Sequence, residues 1–260
     1  MKKLIPAFLF LFAATTVTAQ YSASGAYSVA MPRGEMAKNI RLLHSAKVNL
    51  MRSLPGPLSR AQLGIELGIG TYAYITKEQT FVFDNGSSTR TNVNYSSNVF
   101  QAVLVSEVDI LQKGKVVPYV KGHAGLAKFY SNVTVEDPKD PDGCHPMEKK
   151  SLIRDNTLSV GYGAGVRISM QGFCSKMSGS EWIDFSVTRV SGGDVSYINT
   201  KRLKDHYHAD PNAPADPKST PVTQRFINAS TNSIHEHQVA ELYTSPLRML
   251  EFRLGYVVRF

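Results

Sequence analysis

Closely spaced histidines are the side chains of this chain best placed to do chemistry. Four of its seven histidines lie in two short segments, His206-Tyr207-His208 and His235-Glu236-His237. In an extended segment residues i and i+2 share a face, so each pair could hold one Zn²⁺ or Cu²⁺ ion. His145, next to Cys144, is a further candidate ligand. Prolines and aspartates around the first pair disfavour a preorganised site, and we expect neither a bound metal nor a cofactor.

Other candidate chemistry is equally sparse. The acidic segment 136–143 could attract Ca²⁺, but it lacks the ligand spacing of a calcium loop. No Gly-x-Ser-x-Gly motif is present. His123 and Glu66 are candidates for a shared interior, yet no serine stands out as their nucleophile. We therefore predict no catalytic residues and expect that the protein is not an enzyme.

The elements that position these residues are clearest in the last segment, Leu247 to Phe260. Because side chains alternate across a strand, its residues divide into two faces. One face is continuously apolar and ends on the chain's last residue: Leu250, Phe252, Leu254, Tyr256, Val258 and Phe260. The other is mostly charged or small: Met249, Glu251, Arg253, Gly255, Val257 and Arg259. This inverted polarity is typical of a membrane β-barrel, whose apolar face meets lipid.

The start of the chain predicts secretion. Lys2 and Lys3 precede an apolar run from Leu4 to Ala14, and small residues end at Ala19. These features predict a signal peptide over residues 1–19, cleaved near Ala19, followed by one domain over 20–260. The apolar run is shorter than the roughly 20 residues a membrane helix needs.

Clusters of Gly, Pro, Asn and Ser divide the remaining chain into segments with strand character. We predict a single closed antiparallel transmembrane β-barrel of about eight strands, an all-β fold. The predicted strands are 21–31, 42–52, 60–82, 93–111, 116–135, 152–172, 181–198 and 247–260, with an interruption over 199–245. Within strand three, Ala73 and Ile75 are predicted to share the outward face of Leu63.

Connection lengths predict how the barrel is oriented. Short turns near Pro55, Gly114 and Ser178 alternate with longer connections near Gly34, Gly86, Gly143 and Pro211. Outer-membrane barrels have short periplasmic turns and long extracellular loops, so both termini would be periplasmic. The single tryptophan, Trp182, opens strand seven and is predicted at the periplasmic interface.

Charged side chains on the inner face must share a narrow lumen. An eight-stranded barrel is just wide enough for its own side chains, so glycines on some strands would make room for larger residues on others. The glycines concerned are Gly64, Gly68, Gly70, Gly122, Gly125, Gly161, Gly163 and Gly165. Unpaired buried charges are costly, which predicts an ion-paired interior and a plugged lumen. The residues expected inside are Glu66, Tyr72, Lys121, His123, Arg167, Arg253 and Arg259, with Glu107, Asp109, Asp184 and Glu251 as further acids.

Composition limits the possible partners. The formal net charge is +8, but lysines and arginines are scattered and no nucleic-acid motif accompanies them, so we expect the protein not to bind nucleic acid.

The cysteines, Cys144 and Cys174, fall at opposite ends of one predicted strand. That separation is too large for disulfide geometry, and we expect them not to pair within one molecule.

The signal peptide, the glycine-rich strands, the segment Gly192–Tyr197 and the Leu254–Phe260 ending together resemble a known family. They are similar to small bacterial outer-membrane β-barrel proteins of the Bacteroidetes type and, more distantly, to the OmpA/OmpX-like porin family. The resemblance implies residence in the cell outer membrane, contact with outer-membrane lipid and lipopolysaccharide, and recognition of the C-terminal strand by the barrel-insertion machinery.

Family resemblance does not fix a role, because such barrels serve many. We expect a structural or interaction role, in adhesion or envelope integrity, with an extracellular partner at the loops as one option. Two alternatives stay open: a narrow porin-like channel for small solutes, and a soluble periplasmic barrel that binds an apolar ligand.

Overall fold

Strands make up most of the chain. The computed structural model describes residues 21–82, 88–111, 114–135, 148–172, 180–201, 219–227 and 234–260. Its strands are β1 (Tyr21–Pro32), β2 (Leu43–Ser53), β3 (Ala61–Val82), β4 (Ser88–Asp109), β5 (Val116–Val135), β6 (Glu148–Ser169), β7 (Glu181–Ile198), β8 (Ser219–Ile227) and β9 (Ile234–Arg259). Helix is limited, within those residues, to α1 (Met36–Asn39) and to 3-10 turns at Gly56–Leu58 and Met170–Gly172. No described helix has the length and apolarity to cross a membrane.

Eight of these strands form a closed antiparallel wall. Each of β1 to β7 pairs with its neighbour along the chain, β7 pairs with β9, and β9 returns to β1. Phe252 on β9 shows the closure, because it lies opposite Val29 on one side and Val187 on the other. In the part of the wall where all eight strands pair, closure leaves no unpaired sheet edge. The predicted eight-stranded barrel is confirmed.

The barrel has two distinct ends. One end, the terminal end, holds Tyr21 and Phe260, whose backbones exchange hydrogen bonds of 2.8 and 2.9 Å, together with the connection 54–60. The other, the loop end, holds α1 and the start of β8. The connection near Gly86 is shorter than predicted because β3 runs to Val82 and β4 already begins at Ser88.

We call the half of the barrel toward the terminal end lower and the half toward the loop end upper. In the lower wall the polarity is inverted, as the alternation predicts. Leu67 is 43% exposed on the outside, whereas its neighbour Glu66 is 2% exposed. On β9, Phe252 is 43% exposed and Arg253 is 4% exposed. The soluble-barrel alternative requires the apolar residues inside, and the structure has the opposite arrangement.

A β-bulge corrects the prediction for the upper part of β3. The register with β4 shifts between Thr71 and Ala73. Beyond the shift, Tyr74 faces out, whereas Ala73 and Ile75 pack against buried side chains inside. The extra residue exchanges the two faces, so Ala73 and Ile75 do not share the outward face of Leu63.

A hairpin replaces much of the predicted interruption over 199–245. β8 pairs with the first part of β9, from Ile227 opposite Ile234 to Ser219 opposite Tyr243. β9 therefore begins at Ile234 instead of Leu247. The segments that form the hairpin are rich in Thr, Gln and His and lack the apolar alternation on which the strand prediction relied. Three smaller predictions also need correction. β4 begins before Val93, and β6 begins before Leu152. Gly122 faces out beside Ser106 instead of into the lumen.

Candidate functional site

The lower lumen holds a dense set of ionised side chains, which we call the ionised layer. Seven of the eight wall strands contribute to it, and β1 adds serines such as Ser24, which accepts a hydrogen bond from Arg253 at 2.9 Å. Its members are Lys47, Glu66, Glu107, Asp109, Lys121, Arg167, Asp184, Glu251 and Arg253. Arg259 joins them at the terminal end, so five carboxylates meet five cations.

Glu66 is the centre of the ionised layer. Its carboxylate lies 2.6 Å from Arg253 Nη1, 3.2 Å from Lys47 Nζ and 3.9 Å from Lys121 Nζ. Lys47 in turn contacts Glu251 at 2.7 Å. These side chains are 4% exposed or less, so each charge depends on its neighbours for the stabilisation that water would otherwise supply.

A second group of contacts lies nearer the terminal end. Arg167 bonds Asp109 at 2.5 Å and lies 3.4 Å from Glu107. Its guanidinium also sits 4.6 Å from the centre of the Tyr119 ring. The Tyr119 hydroxyl donates to Asp184 Oδ1 at 2.7 Å, which links this group to Arg253, whose Nε is 3.7 Å from Asp184. The layer is thus one continuous network.

Glycines make room for the large polar side chains, as predicted. A Cβ built on Gly161 would collide with the His123 ring, and one on Gly165 would collide with the Tyr119 ring. Both rings can therefore enter the lumen only because β6 carries no side chain at these positions. His123 faces the lumen, as the alternation predicts.

Trp182 corrects the expectation of an interfacial position. The indole is 8% exposed and packs inside the barrel with Val117 and Val257. Arg259 lies over its ring, 5.0 Å from the centroid. The residue does mark the terminal end, but it closes the lumen there instead of facing out, because it shares the inward parity of Asp184 on β7.

Above the ionised layer the lumen is filled by apolar and aromatic side chains. We call this set the apolar plug: Ala30, Met36, Ile40, Leu43, Tyr72, Val99, Ala127, Phe129, Val190, Val195, Tyr197, Tyr243, Leu247 and Met249. Within it the Tyr72 and Phe129 rings are tilted by 48° to each other, with centroids 6.0 Å apart. The sequence analysis placed Tyr72 and Met249 on the inner face but did not predict an apolar layer. The sequence did contain a signal for this layer. Val99 shares the parity of Glu107 along β4, and Phe129 shares the parity of Lys121 along β5, so both face inward.

The connection between β1 and β2 folds into the mouth of the barrel. α1 inserts Met36, which is fully buried, into the apolar plug. Asn39 fixes this position: its carbonyl accepts hydrogen bonds from the backbone N–H groups of Thr200 and Lys201 at 2.9 and 3.2 Å. Its side-chain amide donates to the Tyr197 hydroxyl at 3.4 Å and accepts from Asn199 at 3.3 Å.

The space left between these side chains is small. A cavity of about 10 Å³ lies among Asn49, Glu107, Arg167 and Arg253, roughly the space of a single water molecule. Nitrogen or oxygen atoms of Asn49, Arg167 and Arg253 have no hydrogen-bond partner there. One water would satisfy part of this set, but a cavity of that size is not a passage for solutes.

Lys47 is the ionised residue that the sequence analysis missed. Ser45, Lys47 and Asn49 alternate with Ala46, Val48 and Leu50 along β2, so the signal was present. The predicted inward charges Glu66, Glu107, Asp109, Lys121, Arg167, Asp184, Glu251 and Arg253 are all found inside.

The predicted metal candidates are not brought together by what the structure describes. His145, His206, His208 and both cysteines lie outside the described residues, as does the predicted signal peptide. His235 and His237 lie in the first part of β9, residues 234–239, where the structure describes the backbone only. Within the described part of the chain, no group of three or more His, Cys, Asp or Glu side chains is placed to hold a metal ion.

Comparison with known proteins gives a likeness in fold. No protein-family model matches the chain, and no curated protein matches it. A major outer membrane protein from Thermus thermophilus is 12% identical, with a TM-score of 0.49 over 94% of this chain and 100% of that one. Neisserial surface protein A is 10% identical (TM-score 0.38, 93% and 97% covered), and the attachment invasion locus protein Ail of Yersinia pestis is 9% identical (TM-score 0.37, 93% and 97% covered).

Strand pairing, closure and inverted polarity define the class of this chain. With an apolar outer wall and an ionised interior, the chain is a closed eight-stranded antiparallel β-barrel of the outer-membrane type.

Proposed function

We propose that this protein is an integral barrel of the bacterial outer membrane, inserted after signal-peptide cleavage near Ala19, with a closed lumen. Its role is structural or interactive, in adhesion or envelope integrity, and it is not an enzyme. The observation that carries the proposal is the filled lumen, in which the ionised layer and the apolar plug succeed each other along the axis.

The outer wall supports membrane insertion. Apolar side chains face out on every wall strand, and the transition to polar ones is sharp. On β5 the outward face changes from Leu126 to Lys128, and on β7 from Val187 to Arg189. Only about 10 residues of a strand are needed to cross a bilayer. β3 to β6 have 20 to 22 residues each, so their upper parts project beyond the apolar band.

These projecting strands favour a contact role. Together with the β8–β9 hairpin they build a platform at the loop end, beyond the apolar band, where a partner could bind. The C-terminal strand suits recognition by the insertion machinery, since Phe260 faces out and stacks on Tyr21 at 6.2 Å.

Conductance in planar bilayers separates the closed barrel from the narrow channel. The purified protein, folded as judged by heat-modifiable gel migration, should give no steady current in salt solution. A variant that removes plug volume, Phe129→Ala, is the matched control that should still give none, because the ionised layer remains below it. A reproducible unitary current from the unmodified protein would overturn the closed-lumen proposal.

A role at the surface needs a separate test. Cells that display the intact protein should show greater adhesion or better barrier function than cells without it. Shortening the loop-end platform should remove that difference while leaving folding unchanged. Equal behaviour of both strains in adhesion and detergent-sensitivity assays would contradict the proposed role without affecting the membrane assignment.

A further inference from the structure

A groove of about 530 Å³ runs along the outer wall where β6, β7, β9 and β1 meet. Two rows of outward side chains line it, and the strand register fixes their order. Val29, Phe252, Val187 and Ala164 face one another across the four strands. The next row toward the terminal end is Tyr27, Leu254, Phe185 and Val166. Ala164 is short beside the phenylalanines, and this difference in size makes the depression.

Three exposed arginines lie beyond this groove toward the loop end. Arg189 is in the row next to the groove, and Arg33 and Arg248 are in the following row, past Met31 and Leu250. Arg189 is the next outward residue after Val187 on β7, and Arg248 is four residues from Phe252 on β9. Arg33 follows β1, and its backbone N–H donates to the Arg248 carbonyl at 2.8 Å. Arg189 lies opposite Leu250, so Arg189 and Arg248 are diagonal neighbours across the β7–β9 pair.

These arginines have no acidic partner among the residues that the structure describes. By contrast, Lys38 pairs with Glu35 at 2.9 Å and Arg90 pairs with Glu78 at 2.5 Å. Three unpaired cations grouped beyond the upper end of an apolar groove form an amphipathic site. Tyr162, exposed and opposite Arg189 on β6, adds an aromatic ring at the same level.

We propose that this groove is a specific site for a lipid with an anionic phosphate head group. An acyl chain fills the groove between the phenylalanines and Ala164, and the phosphate is held by Arg189 and Arg248, with Arg33 beside them. Guanidinium groups suit phosphate because their planar forks donate two parallel hydrogen bonds. The inference rests on the proposed membrane insertion, since it places the groove in the leaflet at the loop end.

Both halves of the ligand are needed for the fit. A soluble phosphate would meet the arginines but leave the groove empty, and an uncharged lipid would fill the groove but leave the arginines unpaired. A matched region exists on β5 and β6, where Lys128 and Arg154 are also exposed on the outer face above the apolar band. Replacing two cations in either region removes the same charge, so the effects of the two double variants on lipid binding can be compared directly.

Native mass spectrometry of the folded full-length barrel in detergent provides the test. The probe is phosphatidic acid, compared with diacylglycerol of the same chains and with inorganic phosphate. We expect phosphatidic acid to bind most tightly. The double variant R189Q/R248Q should weaken it by about tenfold or more, the factor expected from losing one charge-assisted contact. The control K128Q/R154Q should change it less than about twofold.

A second variant tests the chain-binding half. Ala164→Phe fills the groove without adding charge and should also weaken phosphatidic acid about tenfold, whereas Ala124→Phe, on the outward face of β5, should not. Equal effects of the arginine pair and its control, equal effects of the two phenylalanines, or binding of inorganic phosphate as strong as that of phosphatidic acid would each overturn the site. Heat-modifiable migration of every variant shows separately whether the barrel itself has formed.

Discussion

Strand β4 crosses two regions of the barrel that have opposite polarity. In its second half, Phe100 and Leu104 face out, while Gln101 and Glu107 face the lumen. In its first half the order is reversed: Asn94 and Asn98 are on the outward side, and Val93, Tyr95 and Val99 are buried within.

This reversal needs no change in strand geometry. The register between β4 and β5 continues without a shift from Val93 opposite Val135 to Asp109 opposite Tyr119. What differs is the medium that the outer face meets. Against lipid the apolar side chains belong on the outer face. Beyond the lipid the outer face meets water, and the apolar side chains belong on the inner face. The lumen therefore holds the ionised layer where the outer face meets lipid and the apolar plug where the outer face meets water.

The largest expected effect comes from the ionised layer. Arg253→Leu leaves Glu66 and Asp184 without a principal partner in a buried site, and breaking such a pair costs about 3–5 kcal/mol. Urea titration of the barrel refolded into lipid bilayers, followed by Trp182 fluorescence, measures this loss. Arg154→Leu, on the exposed face of β6, is the matched control and should cost less than about 1 kcal/mol. Equal losses would show that the layer is not a buried network.

A charge placed on the two outer faces of β4 sharpens the comparison directly. Leu104→Lys puts a cation against lipid and should reduce the free energy of unfolding from bilayers by about 2–4 kcal/mol. Ser96→Lys has the same outward parity above the apolar band and should change it by less than about 0.5 kcal/mol. If Ser96→Lys lowered the free energy of unfolding as much as Leu104→Lys, the upper edge of the apolar band could not lie between Asn98 and Phe100.

Asn39 tests how the plug is fastened at the mouth. Asn39→Ala removes the amide contacts to Tyr197 and Asn199, and unsatisfied buried polar partners cost about 1–3 kcal/mol. The loss should be local, so amide hydrogen exchange should quicken in α1 but not in the lower wall. Lys38→Ala, which removes a surface pair with Glu35, should leave exchange in α1 almost unchanged. Equal acceleration along the lower wall would contradict a local latch.

The smallest effect is expected from an ion pair above the membrane. Arg90 and Glu78 are as close as the buried pairs, at 2.5 Å, but their side chains are 69% and 50% exposed. Arg90→Gln should therefore cost less than about 1 kcal/mol by the same urea titration, and less still at high salt. A loss as large as that of Arg253→Leu would mean that distance, and not burial, decides the strength of these pairs.

Alternation along single strands was enough to predict the lower barrel. The positions of Glu66, Arg253 and Phe252 follow from parity alone, because every strand there meets lipid on one side. Parity fails at the bulge between Thr71 and Ala73, where one extra residue exchanges the faces and leaves no mark in the sequence. Parity also does not give the height of a residue along the barrel axis. The apolar plug was therefore not predicted, although Phe129 has the same parity as Lys121, which was predicted inside.

Two further features depend on contacts distant in sequence. The β8–β9 hairpin exists because residues 219–227 find partners on the extension of β9, and their own composition does not identify them as a strand. Asn39 bonds to Tyr197, Asn199, Thr200 and Lys201, which are far from it in sequence, and only the closed barrel creates these contacts. Local patterns cannot predict such pairings.

Spin labels at three positions of β4 test the change of solvent most directly. In a background without Cys144 and Cys174, single cysteines at Ser96, Leu104 and Val105 are labelled and the protein is inserted into bilayers. Power saturation should give high oxygen and low nickel accessibility at position 104, the reverse at position 96, and low values of both at the inward position 105. High oxygen accessibility at 105 with a shielded label at 104 would contradict the account, because the apolar face would then point into the barrel.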